Sequence, residues 1–273
     1  MLKQAVKSEE EFDDGFFDYL RCAINDLCDE LAEKFNLYTS RGEPRRAFIL
    51  DTLMKYSCHG CIVKVLTQQR KDDRADRLFL ENHRLAVGLL VESLHHYLKE
   101  NFKVEEEVEG EYGRLDVIVK PTRTGVILKI ANMLEIIIEV KTGESFTYSQ
   151  VFRYLIERPG AILFVWRVTK RQVIKIDGER HRKLLLLVME AALERGTAVL
   201  KGEYGECNHT PVRNTPYIIE DAQAIVDNFL TAIVDTLPVL VESVLNAIRN
   251  CLAATEAVDS LSAVRSGGGH VEV

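Results

Sequence analysis

The stretch Ile136-Ile137-Ile138-Glu139-Val140-Lys141 decides how this chain of 273 residues is read. β-branched residues fill it, which marks a strand. Side chains alternate along a strand, so Ile136, Ile138 and Val140 share one face. Glu139 and Lys141 share the other, about 7 Å apart. A carboxylate and an ammonium on so apolar a strand are costly unless they are paired or used. Among all the lysines of the chain, only Lys141 follows an acid two residues earlier. The competing reading is a salt-bridged strand face.

The surroundings of that strand alternate between elements. Apolar residues from Phe16 to Phe35 recur at three- and four-residue steps, predicting a helix over 9–38. A turn at Arg41–Pro44 leads to an apolar block, Ala47–Leu66, broken by Ser57-Cys58-His59-Gly60-Cys61. A strong helix is predicted from Arg77 to Glu100. Strands follow at Phe102–Glu109 and Leu115–Val119, with a turn at Gly110–Gly113, and then Leu134–Lys141. Phe146–Glu157 reads as helix, Ala161–Val168 as a buried central strand, Gln172–Ile176 as a short strand and Arg182–Glu194 as an apolar helix. The pattern is α/β. The tail from Ile218 to Val258 is helical, with a break at Leu237-Pro238. Residues 266–273 read as a disordered end. Three consecutive regions are predicted: 1–76 helical, 77–217 an α/β core, and 218–273 C-terminal helices with a tail.

Composition narrows the class. With 47% apolar and 28% charged residues, most of the chain is globular and not fibrous or disordered. No uninterrupted apolar run approaches the roughly 20 residues of a membrane span. Val234–Leu245 comes nearest and contains Asp235, Pro238 and Glu242. The N-terminus opens into acidic residues, so a cytoplasmic protein without a membrane partner is expected. Net charge is −7, yet Arg114–Lys183 holds 14 basic against 7 acidic residues, leaving 21 basic and 35 acidic elsewhere. Such an asymmetry marks either a polyanion surface or an ordinary solvated face.

In Gly113-Arg114-Leu115-Asp116, the acid begins a strand that a hairpin-like connection would set beside Glu139. Two carboxylates with backbone carbonyls nearby suit Mg²⁺ or Mn²⁺. A lysine two residues from such a ligand orients a water or neutralises a phosphate.

The ordered set Gly-Arg-Leu-Asp116 and Ile-Ile-Glu139-Val-Lys141 resembles the PD-(D/E)xK nuclease superfamily. Gln150-Val-Phe-Arg-Tyr154 resembles the Gln-xxx-Tyr motif of its RecB-like branch, which includes CRISPR-associated exonucleases. Gln150 and Tyr154 stand four apart, on one helix face. Gly88-Leu-Leu-Val-Glu92 sits where that branch places Gly-xxx-His or a helix-borne glutamate. The resemblance covers residues 81–200. It implies a restriction-endonuclease-like αβββαβ core with added N- and C-terminal helices. It implies that Glu92, Asp116, Glu139 and the Val140 carbonyl bind the metal ion, and that Lys141 serves the water. Gln150 and Tyr154 would hold the DNA strand or brace the site. Glu81, on nearly the same helix face as Glu92, is a rival ligand, while His95 and His96 read as surface or packing residues. Arg114, Lys120, Arg153 and Arg158 are candidates for the DNA path.

The function so implied is metal-dependent hydrolysis of DNA, exonucleolytic by analogy, in repair, recombination or CRISPR-type processing. The alternative is a catalytically silent nuclease fold that binds DNA or assembles a complex, with the C-terminal helices as a protein-partner surface. A third reading makes the carboxylates salt bridges in a metal-stapled structural protein. Cys58-His59-Gly60-Cys61 has the two-residue gap of a metal knuckle. With Cys207 and His209 it would make a zinc site. An iron–sulfur cluster, as in the CRISPR-associated relatives, would want a fourth cysteine such as Cys251. Plain buried or surface thiols are the other reading, and the one intended for Cys22 and Cys28.

Overall fold

Ile136–Lys141 forms the middle strand of a five-stranded mixed sheet in the computed structural model of the chain. The structure describes residues 14–68, 77–122, 134–143, 147–209 and 222–266. The expected helix start before Asp14, the onset of the helix at Phe146, Ile218–Asp221 and the end beyond Ser266 lie outside them. In chain order the described elements are α1 (Asp14–Phe35), α2 (Arg46–Lys55), α3 (His59–Thr67) and α4 (Arg77–Leu98), the last followed by a 3₁₀ turn (Lys99–Asn101). Then come β1 (Phe102–Gly110), β2 (Gly113–Pro121), β3 (Ile136–Lys141), α5 (Tyr148–Glu157), β4 (Ile162–Arg167), β5 (Gln172–Asp177), α6 (Arg182–Leu200) and α7 (Ala222–Ser266). The chain is therefore α/β, with seven α-helices among the described residues.

The strands lie in sequence order, β1-β2-β3-β4-β5. β1 and β2 are an antiparallel hairpin closed by the Gly110↔Gly113 pair. A Cβ at Gly110 would stand 2.7 Å from the Gly113 carbonyl oxygen, so this corner requires glycine. β2 pairs antiparallel with β3, and β3 parallel with β4. Parallel neighbours need a crossover, and α5 supplies it. β5 returns antiparallel to β4.

Alternation sorts the sheet residues into two faces. Val117, Ile136, Ile138, Val140, Phe164 and Trp166 belong to a buried core that also contains the apolar stripe of α4 (Val87, Leu90, Leu94) and that of α7 (Phe229, Leu240, Val244). Asp116, Glu139 and Lys141 alternate to the opposite face. Helix α5 packs on β2, with Val151, Tyr154 and Leu155 buried.

Two compact units result: residues 1–69 with 183–212, and residues 70–182 with 213–273. The three consecutive regions expected from sequence are thus replaced by two interleaved ones. The reason lies in the helix faces. α7 contributes its apolar stripe to the sheet core, so it belongs with the strands. α6 packs with the N-terminal helices: Gly196 lies so close to Leu27 that a Cβ there would approach it to 2.5 Å. Arg195 donates to the Leu53 carbonyl at 2.8 Å. Lys34 donates to the Val199 and Leu200 carbonyls at 2.9 Å, capping the negative end of α6.

The expected break at Pro238 does not occur; α7 runs through it. Leu240, Val241 and Val244 beyond the proline are as buried as Phe229 and Ile233 before it, so packing outweighs the lost hydrogen bond. Trp166 adds a cross-link by donating to the Thr236 hydroxyl at 2.8 Å. Averaged over its length, Val226–Ala254 is long and apolar enough to cross a membrane, which the search for an uninterrupted run missed. Its buried face is part of the sheet core.

Candidate active site

The β2–β3 register pairs Val117 with Ile138, and one further step sets Asp116 opposite Glu139. Asp116 is 8% exposed and Glu139 1%. The Asp116 carboxylate accepts the Val140 N–H at 2.8 Å, so Val140 meets the site through its amide. Lys141 forms an ion pair with Glu139 through Oε1 and donates to Gln150 Oε1 at 2.6 Å. Gln150, in the first turn of α5, returns its Nε2 to Glu139 Oε1 at 2.7 Å and to the Tyr154 hydroxyl at 2.8 Å. Tyr154 in turn donates to the Arg114 carbonyl at 2.8 Å, tying α5 to the start of β2. Of the five residues named from the sequence, Glu139, Lys141, Gln150 and Tyr154 form one hydrogen-bonded group and Asp116 joins it through the Val140 amide; Asp116, Glu139 and Tyr154 are buried, Lys141 and Gln150 partly so.

Glu139 Oε2 is buried and accepts no hydrogen bond. Burial, reinforced by the nearby Asp116 charge, pushes the Glu139 carboxyl up to about 7, against the pull of Lys141. Burial also raises the Tyr154 phenol, which stays neutral.

The sequence reading overlooked His83. Its Nε2 lies 3.3 Å from Asp116 Oδ2, and that hydrogen bond raises the imidazole above its ordinary value. A signal was present: His83 continues the buried stripe Val87, Leu90, Leu94 one turn toward the N-terminus of α4. Glu92 does not join the group. Nine residues separate it from His83, which at 3.6 residues per turn is about half a turn around the helix. Glu92 is exposed, as is Glu81 on the same side, and so are His95 and His96.

No family model, no curated protein and no solved structure matches this chain. Its chemistry must be read from its own geometry.

The four basic residues named for a DNA path have partners within the fold. Arg114 pairs with Glu107 at 3.3 Å, and Lys120 with Glu135 at 3.1 Å. Arg158 pairs with Glu135 at 2.7 Å, and Arg153 donates to the Tyr112 carbonyl.

In the first unit, Cys58, Cys61, Cys207 and His209 come together with all ligand atoms within 4.8 Å of one another, a cluster able to hold a metal ion. Among the described residues it is the one such group of three or more His, Cys, Asp or Glu side chains. Cys58 occupies the N-cap position of α3 without a side-chain cap hydrogen bond. The nearby Cys61 backbone N–H, with His209 and Cys207, lowers the Cys58 thiol to about 6. Burial pushes the Cys61 thiol up to about 12. Cys251 is not in the cluster.

Proposed function

We propose that the sheet unit is a divalent-metal-dependent nuclease of the PD-(D/E)xK type, hydrolysing phosphodiester bonds in DNA. The observation that carries this reading is Glu139 Oε2, a buried carboxylate oxygen with no donor, in a group that also holds Asp116 and His83. A buried acceptor without a partner costs roughly 1–3 kcal/mol, more when charged. A cation removes that cost. The donor set fits Mg²⁺ or Mn²⁺: hard carboxylate oxygens, with one imidazole favouring Mn²⁺. The element order α4-β1-β2-β3-α5-β4, an αβββαβ succession, supports this reading.

Such an ion would supply a water of lowered pKa and positive charge for the phosphate. The chain's own residues do the rest. Asp116, fixed by the Val140 amide, and Glu139 would hold the ion, with His83 completing or orienting the set. Lys141 is held by Glu139 and Gln150, where its ammonium can orient the attacking water and stabilise charge on the phosphate. Gln150 positions both ends of that pair. Tyr154 fixes Gln150 against the backbone of β2.

End-labelled single- and double-stranded DNA, incubated with Mg²⁺, Mn²⁺ or EDTA, tests the reading. Wild type is expected to cut only with metal, and Lys141→Ala to lose at least about 100-fold in rate, the scale of a positioned proton-handling group. The product ladder separates exonuclease from endonuclease. Wild type inert on every substrate yet still binding DNA would replace the nuclease by a silent binding module.

A further inference from the structure

The nuclease reading leaves the thiol cluster of the first unit without a role. Cys207 Sγ lies 3.4 Å from Cys58 Sγ and 3.3 Å from Cys61 Sγ, and 3.3 Å from His209 Nδ1. None of these sulfurs is bonded to another in a disulfide. One sulfur equally close to two others is no disulfide pair, since a disulfide bond is about 2.05 Å long. It is the geometry of several ligands around one centre. A tetrahedral ion with metal–sulfur distances near 2.3 Å sets its ligand atoms about 3.8 Å apart, close to the separations observed.

The surroundings are shaped to keep the four groups together. A Cβ at Gly60 would stand 2.5 Å from the Cys207 Cβ and 3.0 Å from the Gly205 carbonyl oxygen, so only glycine lets the chain approach α3. Lys64 donates to the Cys207 carbonyl, and the His59 ring lies 3.0 Å from the Glu203 carbonyl oxygen. Two segments almost 150 residues apart in sequence are thereby matched side chain to backbone at one spot.

We propose that Cys58, Cys61, Cys207 and His209 bind one Zn²⁺ ion as a structural centre, separate from the carboxylate site. Three soft thiolates and an imidazole select zinc over Mg²⁺ or Mn²⁺. The number and spacing of donors select a single ion over an iron–sulfur cluster. A [4Fe–4S] cluster sets each of its four ligands on a separate iron and a [2Fe–2S] cluster sets two on each, so either spreads the four donors further apart than a single ion does. The set is closed at four protein ligands, which is the structural and not the catalytic form of a zinc site. Its effect is to staple the Glu203–His209 segment onto α3.

The full-length protein, produced in medium containing both zinc and iron, tests this by metal analysis. One zinc per chain is expected, released one-for-one when an organomercurial titrates the thiols of the wild type. Replacement by Co²⁺ should give thiolate-to-cobalt charge transfer and the strong visible bands of tetrahedral cobalt. Cys207→Ala should lose the zinc, while Cys22→Ser, Cys251→Ser and Glu139→Gln keep it. The last variant separates this centre from the nuclease site, because it removes one and leaves the other. Wild type without zinc, wild type carrying iron with sulfide, or Cys207→Ala with full zinc would each overturn the proposal. The wild-type measurements hold even where Cys207→Ala fails to fold.

Discussion

At the scale of single residues, Glu139 concentrates the conflict in the structure. Its carboxyl is buried, and its folded value of about 7 lies above the ordinary 4.5. The folded state therefore holds the proton that the unfolded state releases between these values. Stability of the metal-free chain must fall as pH rises from about 4.5 to 7, by roughly 3 kcal/mol at 1.36 kcal/mol per unit. Chemical denaturation at pH 5 and pH 8 in EDTA should show this decline in wild type. It should be largely absent from Glu139→Gln, and saturating Mn²⁺ should remove it. An equal decline in the Gln variant would show that another group is responsible. His83 and Glu92 give a second contrast. His83→Ala should weaken Mn²⁺ binding by about 10- to 100-fold, the scale for losing a supporting metal-site partner. Glu92→Ala, half a turn away, should leave a calorimetric titration unchanged. Asp116, Glu139, Lys141, Gln150 and Tyr154 were legible because strand alternation and four-residue helix spacing place them with no knowledge of tertiary contacts. His83 was overlooked: its place one turn before Val87 on the buried stripe of α4 set it facing the sheet, but its partner Asp116 lies 33 positions away, so the stripe alone did not name the contact.

At the scale of elements, short-range patterning located the strands well: β3 and β4 are runs rich in β-branched and aromatic residues, and β1 and β2 alternate in part on either side of a glycine turn. Helix α7 shows where local reading stops. Pro238 predicts a break from backbone chemistry alone, but the stripe from Phe229 to Val244 continues across it and is buried on both sides. The Trp166–Thr236 bond lies two residues, about half a turn, before the proline and joins β4 to α7 inside the core. Thr236→Val keeps the volume and leaves the indole N–H without its acceptor. It should cost about 1–3 kcal/mol in denaturant unfolding, the price of an unsatisfied buried donor. A change within a few tenths of a kcal/mol would mean that the bond contributes little and that apolar packing alone carries the helix past Pro238.

For the whole molecule, the chain leaves the N-terminal helices, builds the sheet, returns with α6 and leaves again for α7. Linear boundaries miss this because they depend on which apolar faces find each other, and apolar faces carry no address in sequence. The charge sum along the chain also leaves out what the fold pairs. Within Arg114–Lys183 the basic residues outnumber the acids, but Arg114 takes Glu107 and Arg171 takes Asp235 from outside that segment. A positive excess along the chain is thus partly spent inside the fold. The same topology brings Asp116 and Glu139 together on one sheet face and His83 against Asp116. The central claim is that this buried group exists to hold a divalent ion. Anomalous diffraction from crystals of the wild-type chain grown with Mn²⁺ measures that directly. The account predicts a manganese peak within coordination distance of the Asp116 and Glu139 carboxylates, lost in Glu139→Gln. A fully resolved Glu139 with no peak beside it at saturating Mn²⁺ would contradict it.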